Sequence, residues 1–203
     1  MSHPAAVIIG AGDATGGAIA RAFAAEGLTA CVNRRARNAD QLEALAQAIR
    51  DEGRQARAFP GDAREEGDMV ALFDQVEAEV GPVEVAVFNI GANVNFPISE
   101  TTVRVYTKVW EMACLGGFLM GREAAKRMAP RSRGTILFTG ATASMRGGSG
   151  YAAFSGAKGA LRMLAQSMAR ELGPQGIHVA HTVIDGAIDT DFIKGRHPDF
   201  DNA

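Results

Sequence analysis

A glycine-rich string follows the first apolar run of the chain: Gly10-Ala11-Gly12-Asp13-Ala14-Thr15-Gly16-Gly17. Backbone bare of side chains lets a pyrophosphate approach closely. A helix starting at its end adds unpaired N–H groups and a positive dipole end. Position gives this string its meaning, because glycines alone also make a tight turn. It lies between a strand-like run, residues 5–9, and a helical pattern over 15–27. The spacing therefore points to a nucleotide phosphate held at Gly10, Gly12, Asp13, Thr15 and Gly16.

Eighteen residues on from Gly16 the second apolar run ends at Val32-Asn33-Arg34-Arg35. An acid here would accept hydrogen bonds from the ribose hydroxyls of NAD. An arginine suits the 2′-phosphate of NADP, which a planar guanidinium grips in a bidentate way. Arg34 and Arg35 thus favour NADP. Arg37 follows, so a solvated basic turn is the plain alternative, and Asp13 on the cradle argues for NAD. Further polar groups fall after later strand-like runs. Asn93 and Asn95 sit in a turn-forming stretch. His181 lies inside a strand-like run with His178 on the opposite face, so the two make no metal pair. Cys31 and Cys114 lack metal-site spacing, and Cys114 reads as a small buried hydrophobe. No metal site is expected.

The elements that must position these groups alternate along the chain. Strand-like runs at 5–9, 28–32, 55–59, 83–89, 134–139 and 176–184 are separated by helical patterns at 15–27, 40–52, 65–80, 104–128 and 150–172. The fourth run is continuously apolar apart from Glu84, which suits a sheet covered on both faces. Strands alternating with helices imply right-handed crossovers and an α/β doubly wound parallel sheet of six strands. No linker divides the chain, so residues 1–203 form one dinucleotide-binding domain. Ligands in such sheets bind outside the strand C-terminal ends.

With these residues in place, the chain resembles the short-chain dehydrogenase/reductase family over nearly its whole length. Gly10-x3-Ala14-x-Gly16 is similar to the family's Gly-x3-Gly-x-Gly loop, with Ala14 at the middle glycine. Asp62-Ala63 matches the Asp that receives the adenine amino group. Phe88-Asn89-Ile90-Gly91 stands at Asn-Asn-Ala-Gly, placing Asn89 and Gly91 at the site. Asp185-Gly186-Ala187-Ile188-Asp189-Thr190 resembles the segment that holds the nicotinamide carboxamide, through Gly186, Ile188 and Thr190.

The resemblance implies carbonyl–alcohol interconversion by hydride transfer. In the family a Tyr exchanges the proton, a Lys one turn later lowers its pKa and binds the nicotinamide ribose, a Ser polarises the substrate oxygen and an Asn supports a water relay. Here the Tyr-x3-Lys motif reads Phe154-Ser155-Gly156-Ala157-Lys158. Only the Lys is kept. The Ser position is Ala141, with Thr139, Thr142 and Ser144 nearby, and the Asn position is Ala113. Tyr151, three residues before Phe154 and about one helical turn away, is the relocated proton donor this pattern suggests. Its plain alternative is a packed helix-start residue. Three functions follow: an oxidoreductase using Lys158 and Tyr151, a dinucleotide-binding sensor or partner subunit without turnover, or an assembly module. Residues 144–150 form a Gly-rich loop on the substrate side.

Composition sets the remaining bounds. Lys and Arg total 21 against 23 Asp and Glu, net charge −2, which leaves no electrostatic footprint for nucleic acid or an anionic membrane. No apolar run approaches a membrane span, and no secretory signal is readable, so a cytoplasmic protein acting on a small molecule is expected. The family often pairs its two long helices across a dimer axis, so 104–128 and 150–172 imply a homodimer or homotetramer. The resemblance also implies a substrate lid and a seventh strand. Residues 191–203 begin that lid and stop, leaving the seventh strand absent.

Overall fold

The structure, a computed structural model, describes residues 3–12, 14–186 and 188. Asp13, Thr190 and the lid segment 191–203 lie outside the described residues. Six strands form one parallel sheet: β1 (Ala5–Ile9), β2 (Thr29–Arg34), β3 (Ala56–Pro60), β4 (Val83–Phe88), β5 (Gly134–Ala141) and β6 (Ile177–Ile184). Their order is β3-β2-β1-β4-β5-β6, the doubly wound sheet expected from the alternation.

The helices are α1 (Thr15–Ala25), α2 (Ala39–Asp51), α3 (Glu66–Glu79), α4 (Val103–Trp110), α5 (Gly116–Met128) and α6 (Ala152–Leu172). Strand residues alternate between the two faces. Ala6 and Ile8 pack with Leu42, Ala46 and Ile49 of α2. Val7 and Ile9 pack on the other face with Phe73 of α3, Met120 of α5 and Leu161 of α6. Every β1 residue is buried, which is why that run carries no polar residue.

The single long helix expected over 104–128 is divided. A π-helical turn, Glu111–Leu115, separates α4 from α5. The helix changes partners there, α4 packing on α6 and α5 on β4 and α3. The wide turn takes up that change in facing, as such turns do at functional sites. Ala113 lies within it and is fully buried.

The strand order reverses between β1 and β4. Crossovers from these two strands leave in opposite directions, which opens a crevice at their C-terminal ends. The glycine string after β1 and the segment after β4 form its walls. Among the described residues β6 pairs only with β5.

Candidate functional site

The crevice begins at the glycine cradle. Gly10 adopts φ +84°, a conformation open to glycine, and its N–H and that of Ala11 donate to Asn33 O at 3.1 and 3.0 Å. Asn89 N donates to Ile9 O at 2.8 Å and Asn89 Nδ2 to Gly10 O at 3.3 Å. The loops after β1, β2 and β4 are thereby tied together. Gly16 passes under Gly10 so closely that a Cβ would lie 2.5 Å from Gly10 O. Ala14 provides no side-chain cap to α1. Gly17 N donates to Gly12 O at 2.7 Å, and among the described residues no hydrogen bond takes the N–H groups of Thr15 and Gly16 at its start. Gly12 has open space where a Cβ would stand. These features fit a phosphate.

A cavity of about 400 Å³ adjoins the cradle. Arg34, Arg35 and Arg37 line it, together with Asp62, Ala63 and Arg64. Burial, then the charge of Arg37, lowers the pKa of Arg35. Cations gathered in this way suit a multiply charged anion. Asp62 is engaged rather than open. Arg64 Nε donates to its Oδ1 at 2.9 Å and Arg64 Nη2 to its Oδ2 at 2.5 Å. That hydrogen bonding is the chief reason the Asp62 pKa is lowered. Arg64 escaped the sequence reading. Its place two residues after Asp62, in the same turn, was the available signal. Asn33 was also passed over. It is buried, and its Nδ2 donates to Phe59 O at 2.8 Å and Gly61 O at 3.3 Å, fixing β3 beside the arginines.

A second, inner cavity of about 220 Å³ shares Asn89 and Gly91 with the first and adds Thr15, Lys158, Gly186 and Ile188. Lys158 is 3% exposed. Its Nζ donates to Ile90 O and Thr139 O, each at 2.8 Å. Desolvation brings its pKa down to about 8. Among the residues lining this cavity Lys158 is the one with an ionisable side chain.

A third, outer cavity of about 320 Å³ shares Asn93, Ala141, Phe154, Ile184 and Gly186 with the inner one. Tyr151 lines this outer space and Lys158 the inner, with Phe154 in the walls of both. The structure thus brings Lys158 to the inner cavity with Asn89, Gly91, Gly186 and Ile188, and places Tyr151 one chamber further out. Phe154 and Ala113 belong to one apolar cluster, against which Ala141 and Tyr151 pack. Two nearby hydroxyls are hydrogen-bonded. Ser144 Oγ accepts from Ala141 N at 3.0 Å, and Thr142 Oγ1 donates to Asp185 Oδ1. Asn95 Nδ2 donates to Ser149 O at 3.4 Å, tying the loop after β4 to the Gly-rich loop. The His181 ring lies against Gly140, outside all three cavities. Burial, then the charges of Arg162 and Lys158, lowers its pKa.

This groove has close relatives. The family model described as short chain dehydrogenase matches residues 4–200. The short-chain dehydrogenase/reductase eriH of Hericium erinaceus is 33% identical over 198 residues, 95% of this chain and 77% of that protein. Cis-4-hydroxycyclohexanecarboxylate dehydrogenase of Sinomonas cyclohexanicum is 31% identical over 195 residues, 96% of this chain and 77% of that one. A crystal structure of a short-chain dehydrogenase from Rhodopseudomonas palustris superposes with TM-score 0.85 at 49% identity, covering 97% of this chain and 90% of that chain. A single-substitution variant of actinorhodin polyketide ketoreductase, solved with NADPH, superposes with TM-score 0.89 at 26% identity, covering 97% of this chain and 76% of that chain. Among the described residues no helix is long and apolar enough to cross a membrane, and no group of His, Cys, Asp and Glu is arranged to hold a metal.

Proposed function

The chain belongs to the short-chain dehydrogenase/reductase family of NAD(P)-dependent oxidoreductases, and on that premise we propose that it uses NADP(H) to interconvert a small carbonyl compound and its alcohol. The observation that carries this reading is the run of three adjoining cavities along one strand edge, with Lys158 in the middle one. The cradle and the α1 N-terminus would hold the pyrophosphate, with Arg34 and Arg35 taking the 2′-phosphate. Asp62 and Ala63 would flank the adenine. Lys158 would donate to the nicotinamide ribose, with Gly186, Ile188 and Thr190 beside the nicotinamide. When bound, the dinucleotide supplies or accepts hydride. Phe154 and Ala141 then exclude water beside the reacting carbon. Tyr151 holds the exchangeable proton at its hydroxyl and meets a substrate oxygen turned toward the outer cavity.

A second reading, dinucleotide binding without turnover, is favoured by one observation. The positions that carry Tyr, Ser and Asn in the family are Phe154, Ala141 and Ala113, and they meet in apolar packing. Following NADPH oxidation over a panel of ketones and aldehydes, with NADP reduction over the matching alcohols, decides between the two. Turnover above the protein-free rate supports the enzyme. Tight dinucleotide binding with no turnover in either direction supports the sensor.

Assembly into a homodimer or homotetramer is part of the same proposal. Val103, Tyr106 and Trp110 of α4, Phe118 of α5 and Met163 of α6 are exposed, an apolar stripe that suits a second copy.

A further inference from the structure

Resting on that reading, we propose that the outer cavity selects an anionic substrate: a small carbonyl or hydroxy compound whose carboxylate pairs with Arg146 while its reacting carbon reaches the inner cavity. Arg146 is the one charged side chain among the described residues that line this space. Its guanidinium forms no ion pair or hydrogen bond with any described residue, which suits it to a ligand. Its backbone is anchored: Met145 N and Arg146 N donate to Thr142 O at 2.9 and 3.2 Å, and Tyr151 N donates to Gly148 O at 3.1 Å.

The rest of the lining fits the other end of such a molecule. Ala141, Ala143, Phe154 and Ile184 give an apolar floor that suits a short carbon skeleton or a single ring. Asn93 and Tyr151 add polar side chains to its lining. Ser155 Oγ is enclosed and has no hydrogen-bond partner among the described residues. In the same lining, the Thr142 hydroxyl donates to Asp185 Oδ1. About 320 Å³ accommodates a one-ring acid.

Paired probes test the charge alone: 4-oxocyclohexanecarboxylate against its carboxamide, and levulinate against levulinamide. Calorimetry is run on the free protein and on the protein saturated with NADP, so the result does not depend on turnover. A charge-assisted bidentate pair favours the acid of at least one couple about tenfold or more. Arg146→Ala brings that ratio below about threefold while leaving NADPH affinity unchanged, and Arg146→Lys restores part of it. Equal affinity for acid and amide, no binding of either acid, or a preference that survives Arg146→Ala overturns the proposal. Failure of NADPH to bind would instead strike the dinucleotide reading.

Discussion

Lys158 Nζ lies 2.8 Å from Thr139 O, a hydrogen bond that ties helix α6 to the C-terminal end of β5. A second bond of the same length reaches Ile90 O, just after β4. The ammonium is thus fixed by a helix and two strand ends together, with one N–H left over. Its place does not depend on the residue four positions earlier.

The buried ammonium makes dinucleotide affinity depend on pH. The Lys158 pKa is lowered to about 8 in the folded protein, so the side chain is charged below that pH and neutral above it. Burial alone lowers this pKa; among the described residues the one charge coupling seen at Lys158 is with His181 on β6, which is not an anion. A pyrophosphate-bearing ligand prefers the charged lysine. The Kd for NADPH should rise as pH increases from 7 to 9.5, and Lys158→Met should weaken binding at pH 7 and remove the dependence. Fluorescence titration across that range checks both. A flat profile in the unaltered protein would remove Lys158 from the cofactor site.

If the resemblance aligns residues 154 and 141 with the family's Tyr and Ser, a phenol and a hydroxyl placed there should raise turnover. Phe154 already lines both the inner and the outer cavity, so the hydroxyl of Phe154→Tyr has open space to enter. Combined with Ala141→Ser, it should increase kcat about tenfold or more. Steady-state kinetics on the best ketone substrate gives the comparison. Unchanged kcat would show that residue 154 does not face the reacting oxygen.

Tyr151→Phe should lower kcat at least about 100-fold without altering NADPH affinity, because Tyr151 lines the outer cavity alone. An unchanged rate would eliminate Tyr151 as the proton donor.

Arg34→Ala should weaken NADPH about tenfold or more and NADH less than about threefold, since the lost contact is to a phosphate that NADH lacks. Calorimetric titration with both dinucleotides measures the ratio. Equal effects would sink the 2′-phosphate assignment.

The cradle should fail if its close approach is blocked. A Cβ at residue 16 would meet Gly10 O at 2.5 Å, so Gly16→Ala should destabilise the fold by about 1–3 kcal/mol. Chemical denaturation measures this. A loss under about 0.5 kcal/mol would mean that the loop is free to shift.

Much of this was legible in the residues. Apolar runs at 5–9 and 83–89 marked buried strands because both faces of a parallel sheet are covered, and the glycine string marked the crevice between them. Ala113 showed only as a substituted motif position. The π turn around it comes from a change of packing partner along the helix, which no local pattern encodes. The Asp62–Arg64 pair was hidden for a related reason, since two neighbouring turn residues give no periodic signal. Tyr151 showed in the sequence as lying one helical turn before Phe154 and seven residues before Lys158. The bulk of Phe154 assigns them to different chambers, and that depends on tertiary packing.

The most direct measurement is the fluorescence change of NADPH, and separately of NADH, on titration with the protein at neutral pH. The groove described above predicts saturable binding with Kd below about 100 μM for NADPH and weaker binding of NADH. No saturable binding of either dinucleotide at millimolar concentration would contradict it.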